Sequence, residues 1–148
     1  MNENEFRELH GFFLEDLKVG QEAMISKTVT ESDVVFFSGV SGDNNPVHIS
    51  DEFAEKTLFK KRVAHGFFTA SLISTVIGTK LPGPGSIYLK QSIQFLAPVF
   101  IGETIKVIVK VKSINFKKKR VTLETYCEKN RKRVLEGEAE ILVQSKLM

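Results

Sequence analysis

Residues 37–54 read FSGVSGDNNPVHISDEFA and set a carboxylate, Asp43, five positions before an imidazole, His48. On an α-helix that offset is a rotation of about 140°, so the two would not share a face. Pro46 lies between them; it removes a backbone donor and pushes Asn45 away from helical angles. The segment is therefore expected to be a turn that folds both side chains towards one point, pinned through the Asn45 side-chain amide. A carboxylate and an imidazole on one water could add that water to an activated double bond. One group takes a proton from the water, a proton is delivered to the neighbouring carbon, and nearby donors hold the charge that builds on the carbonyl oxygen. Imidazole is suited to such work near neutrality.

The donor for that oxygen is sought at His65-Gly66, where the sequence predicts the start of a helix. The first amides of a helix lack intrahelical acceptors, and Gly66 has no side chain to obstruct a carbonyl. Residue types alone leave these roles open. An Asp in a Gly-Asp-Asn-Asn-Pro stretch commonly serves as a turn residue, a single His commonly packs, and a glycine at a helix start has ordinary uses. His10 and His65 receive no role.

The elements that must position these residues follow from the hydrophobic period. Residues 21–30 have the composition of a strand. Thr30 with Asp33 resembles a capping box ahead of Val34-Val35-Phe36-Phe37, so a short helix is expected to stop near Gly39. Ser50-Asp51-Glu52 starts another, ending near Thr57. The stretch 64–80 is apolar around most of its circumference, with small residues (Gly66, Ser71, Ser74, Thr75, Gly78) elsewhere. A helix of that kind needs cover on most sides.

Past the turn-rich Leu81-Pro82-Gly83-Pro84-Gly85, four rows recur at period two. They are Ile87/Leu89/Ile93/Phe95, Ile105/Val107/Val109/Val111, Val121/Leu123/Thr125/Cys127 and Leu135/Ala139/Ile141/Val143. Gln91 is the polar member of the first. Short polar gaps at 115–118 and 128–132 imply antiparallel hairpins. The fold class is α+β, an antiparallel sheet wrapped around one long central helix.

Composition narrows the setting. At 148 residues, 42% hydrophobic and 26% charged, the chain reads as one ordinary globular domain spanning 1–148. A net charge of +3 without a basic motif does not support nucleic-acid binding. The lone Cys127 forms no internal disulfide, which favours a reducing compartment. Glu3, Glu5 and Glu8 near the N-terminus and the short apolar run 12–14 argue against an ordinary secretory signal. No apolar run reaches the ~18 residues of a membrane span, and a cytoplasmic location is expected.

The segment resembles the hydratase signature of the R-specific enoyl-CoA hydratases, the MaoC-like branch of the hot-dog superfamily. Phe37, Val40, Ser41, Gly42, Asp43, Asn45, Pro46, Val47, His48 and Ala54 match it, ten positions over eighteen residues. The likeness continues through Val63-Ala64-His65-Gly66, Leu81-Pro82-Gly83, residues 85–89 and residues 95–99. The resemblance implies that Asp43 and His48 hold and activate the water and that the Gly66 N–H binds the thioester oxygen. It further implies syn addition to a 2-enoyl-CoA giving the (3R)-hydroxyacyl-CoA, no metal or redox cofactor, and a homodimer joined edge to edge with acyl tunnels at the interface. A free sheet edge agrees with pairing.

Three other functions compete. A (3R)-hydroxyacyl-ACP dehydratase of fatty-acid synthesis would use the same pair with an acidic carrier protein as partner. Lys106, Lys110, Lys112 and residues 117–120 could meet that carrier, though such a run is more often a solvated sheet face. A hot-dog thioesterase would attack the carbonyl carbon instead. A non-catalytic acyl-thioester binding domain would need neither Asp43 nor His48.

Overall fold

The computed structural model describes residues 1–147. A short helix α1 (Glu3–Leu9), capped reciprocally by Asn2 and Glu5, buries none of its side chains. The sequence reading placed no element there. Strand β1 (Glu22–Thr28) falls inside the expected 21–30.

Helix α2 (Glu31–Ser41) starts on the expected box: Asp33 N–H donates to Thr30 Oγ1 at 3.1 Å, and Thr30 N–H to Asp33 Oδ2 at 2.9 Å. It does not stop near Gly39. A glycine inside a helix costs only about 1 kcal/mol relative to alanine, whereas termination calls for a left-handed residue. Gly42 supplies it with φ 78°, its N–H returning to Ser38 O at 2.9 Å. Two more residues of helix bring the chain to Asp43.

Two single-turn helices follow, α3 (Pro46–Ile49) and α4 (Asp51–Glu55), the second capped as expected by Ser50 Oγ on Phe53 N–H at 3.2 Å. The central helix α5 (Gly66–Thr79) lies within the predicted 64–80, with His65 at its N-cap.

The sheet is completed by β2 (Ile87–Gln91), β3 (Gln94–Phe95), β4 (Thr104–Asn115), β5 (Arg120–Lys129) and β6 (Lys132–Leu142). Strand order is β1-β4-β5-β6-β2, with β3 also on β6, and every pairing is antiparallel. The β5–β6 connection turns at Asn130 (φ 48°) and Arg131 (φ 64°), the paired positive values of a tight hairpin whose twist matches its strands.

Helix α5 packs on β4 and β5. Ile73, Val76 and Ile77 meet the rows Ile105/Val107/Val109/Val111 and Val121/Leu123/Thr125/Cys127, all exposed by 1% or less. Each large apolar side chain so buried contributes roughly 1.5–3 kcal/mol.

Two expectations need correction. Cover on most sides of α5 is not met within the chain: Phe67 is 65% exposed, and Ser71, Ser74, Thr75 and Gly78 face outward with it. The row Ile87/Leu89/Ile93/Phe95 is not a buried face either. It breaks between β2 and β3, and Ile87, Leu89 and Phe95 stay about half exposed. Strand β2 is a sheet edge, so it has one neighbour where β5 has two. Among the described residues no helix is long and apolar enough to cross a membrane.

Candidate active site

The loop that carries Asp43 is held by its own short side chains. Ser41 Oγ donates to Phe37 O at 2.7 Å and accepts Asp43 N–H at 3.1 Å. Asp43 Oδ1 accepts Asn45 N–H at 3.2 Å, and Asn45 Oδ1 accepts Val47 N–H at 3.2 Å. Asn45 is thus the N-cap of α3. Pro46 does more than break the chain. It occupies the first turn of α3, where a missing N–H costs nothing, so His48 stands on a helical turn and not in an open loop.

The His48 ring is 9% exposed, and its Nδ1 donates to Val63 O at 2.7 Å. That bond fixes the tautomer and leaves Nε2 as the free nitrogen. Arg62 secures the backbone behind it. Its Nε donates to His48 O at 2.7 Å, and its Nη1 reaches both Glu31 oxygens at 2.7 and 2.9 Å.

Asp43, His48 and His65 each bring one polar side-chain atom within 4.8 Å of the others. A single water within hydrogen-bonding reach of two groups can bridge them out to about 5.6 Å, twice an ordinary hydrogen-bond length. The spacing therefore admits one water shared by Asp43 and His48. The trio is also the one set of possible metal ligands found among the described residues. However, His65 Nε2 is already engaged, at 3.1 Å from both Asp43 O and Ser38 Oγ. What stays open to a common ligand is the Asp43 carboxylate and His48 Nε2.

His65 itself went unassigned in the sequence. It is 2% exposed, stacks on His48 with ring centroids 3.8 Å apart, and has Phe37 at 4.8 Å on another side. Burial pushes its pKa below the usual imidazole value, and His48 acts in the same direction; the Asp43 carbonyl and carboxylate oppose. Ser38 and Arg62 were also missed. Only the fold brings residues 38, 43, 62 and 65 together, and no local spacing announces it.

Gly66 begins α5. Ala64 N–H goes to Val99 O, and Phe68 and Thr69 N–H both go to His65 O, while Gly66 N–H has no acceptor among the described residues. Gly66 lines a cavity of about 360 Å³ together with Asn45, His48, Phe95, Val99 and Leu135 among others. Its lining is mostly apolar with a few polar groups, the profile of a small-molecule site. Of the signature residues, Ala54 is fully buried and Val40 is 72% exposed; neither lines the cavity.

A family model described as "MaoC like domain" matches residues 15–133. The chain is 47% identical over 134 residues to an (R)-specific enoyl-CoA hydratase of Rhodospirillum rubrum, covering 90% of this chain and 93% of the relative. It is 44% identical over 139 residues to a 3-hydroxybutyryl-CoA dehydratase of Methylorubrum extorquens, covering 94% and 88%. The solved R-hydratase PhaJ1 of Pseudomonas aeruginosa superposes with a TM-score of 0.86 at 41% identity, over 92% of this chain and 88% of that one. The helix and antiparallel sheet described above are the hot-dog fold of such neighbours.

Proposed function

The chain belongs to the MaoC-like domain family, and on that premise we propose that it is a hydro-lyase adding water to a trans-2-enoyl-CoA, reversibly, to give the (3R)-3-hydroxyacyl-CoA. The observation that carries the reading is the approach of the Asp43 carboxylate and the His48 ring to within one water's span; His48 shares a cavity with Gly66, whose amide has no acceptor among the described residues. The pair takes a proton from the water as its oxygen adds to C3. The electrons of the double bond move towards the thioester, whose oxygen the Gly66 N–H stabilises as negative charge develops there. A proton then reaches C2 from the same side, so H and OH add syn. No metal or redox partner enters this balance. Asn45 and Pro46 position the loop.

Hydration of crotonyl-CoA, followed as loss of enoyl absorbance with chiral analysis of the product, tests the reading. Asp43→Asn and His48→Gln are each expected to lower turnover ~100-fold or more while the protein stays folded. Near-normal turnover in either variant removes that residue from the mechanism. Release of free thiol would point to a thioesterase, and binding without turnover to a non-catalytic domain.

CoA is favoured over acyl carrier protein as the carrier. In the basic run, Lys112 pairs with Glu138 at 2.6 Å and Arg120 with Glu140 at 2.7 Å, so part of its charge is already answered by β6. Comparing turnover of crotonyl-CoA with its acyl-ACP analogue decides between them. We read the chain as a single domain and as a homodimer. The open α5 face and the apolar edge strand β2 support a second copy as the missing cover; a monomer by light scattering would overturn that. The free, buried Cys127 supports a reducing, cytoplasmic setting.

A further inference from the structure

We propose that His65 is a positioning residue of this site, which as a neutral Nε2–H imidazole holds Asp43 and His48 in register at the start of the helix that carries the Gly66 amide. The inference rests on the hydratase reading above and adds to it a residue outside the Asp43–His48 pair.

Three contacts converge on this one residue, two through its ring and one through its backbone. First, its Nε2 lies 3.1 Å from Asp43 O. A carbonyl only accepts, so Nε2 carries the proton and the bond ties down the backbone of the residue bearing the carboxylate. Ser38 Oγ, also at 3.1 Å, shares that proton and anchors it to the last turns of α2. Second, the His65 ring covers one face of His48, with centroids 3.8 Å apart and planes inclined by 27°. The Nδ1–Val63 bond fixes where His48 points in its plane, and the stack stops the ring from tipping out of it. Third, His65 is the N-cap of α5, its carbonyl accepting Phe68 and Thr69 N–H, so the next peptide is the Gly66 amide itself. The ring thereby positions the two water-activating groups, and the backbone of the same 2% exposed residue begins the helix that carries the oxyanion donor.

The protonation state is set by the same surroundings. His65 Nδ1 is buried with no partner among the described residues. Protonating it would create an N–H with nothing to accept it and put a cation against the His48 ring. A purely packing histidine would need neither the tautomer nor the bond to Asp43 O. Misplacement of reacting groups by about 1 Å can cost on the order of 100-fold in rate, so the role is measurable.

The test separates donor from stack. His65→Phe keeps an aromatic face against His48 and loses the donor; His65→Gln keeps an N–H and loses the face. Both are assayed on crotonyl-CoA beside wild type and Asp43→Asn, with melting temperatures recorded. The expected result for His65→Phe is a fall in kcat of about 10-fold or more with KM changed less than about 2-fold, and partial recovery in His65→Gln. If His65→Phe does not fold, His65→Asn serves, since its shorter amide falls short of Asp43 O; the same loss in kcat is expected. Wild-type kcat in a folded His65→Phe or His65→Asn overturns the proposal, as does a loss confined to KM. An inactive wild type would instead overturn the hydratase reading, so the two failures are distinct.

Discussion

A Cβ placed on Gly66 would lie 2.6 Å from Cε1 of Phe95, so the ring of a β3 residue fills the space beside the first amide of α5. Phe95 meets Phe67 edge-on at 5.7 Å and is 49% exposed, so its ring has solvent on one side into which to move. Gly66→Ala is therefore expected to fold with stability within about 1 kcal/mol of wild type, since alanine also favours helix. Its turnover is expected to fall ~10- to 100-fold, because the methyl adds bulk to the cavity wall beside the amide that the thioester oxygen is proposed to reach. Adding Phe95→Leu relieves the ring without clearing the methyl and should not restore rate. Full activity in Gly66→Ala would remove this amide from the mechanism.

Gly137 is constrained more severely. A Cβ there would meet the Ser92 carbonyl oxygen at 1.8 Å, and this neighbour is backbone. The β2–β3 junction presses on β6 at that point, with Ser92 N–H donating to Glu138 O at 2.9 Å. Gly137→Ala is expected to lose ~2 kcal/mol or more, above the middle of the range for overpacking, measured by urea denaturation. A change below ~0.5 kcal/mol would show that the junction yields freely.

What was legible in the sequence was what depends on local pattern. The Thr30–Asp33 box, the Ser50 cap and the three buried strand rows are short-range rules, and the structure follows them. Gly39 and Gly42 show the limit. Both are glycines three residues apart, and which one takes the left-handed conformation depends on what lies beyond the helix, where Asp43 must turn towards His48. The β2 row misled because its apolar residues read as buried, while its place at the edge of the sheet is a property of topology. In the site, the Asp43–Pro46–His48 spacing was readable because the turn is local. His65 was not, because its partners Ser38 and Asp43 stand 27 and 22 residues away.

Cys127 offers a check on the core. Burial pushes its thiol up to about 12, and its side chain is fully enclosed on the inner face of β5. Since the thiolate is the reactive form, the native protein is expected to resist aromatic disulfide reagents at pH 8 and to release one equivalent of thiol reactivity only on unfolding in denaturant. Rapid labelling of the folded protein would mean that the α5–sheet interface opens readily.

The lowered pKa of His65 has a consequence for stability that is independent of turnover. In the unfolded chain the ring titrates near 6.5, and in the fold burial holds it lower. Between the two values the unfolded state binds more protons than the folded one, so stability increases with pH across that window. Read downward, the contribution is intact above about pH 6.5 and is lost as pH falls towards and through the folded value. The lowered carboxylates act separately and further down. Glu15, hydrogen-bonded by the Lys146 amide and Ser145, and Asp16, bonded by the Lys146 ammonium, lose their contribution only below about pH 4.5. Comparing wild type with His65→Phe by urea denaturation at pH 7.5 and 5.5 isolates the histidine, because every other titrating group is common to both. Wild type is expected to lose more stability over that interval than the variant. Equal losses would mean that His65 takes up its proton in the folded site as easily as in water, and that the neutral ring is not what the surrounding structure requires.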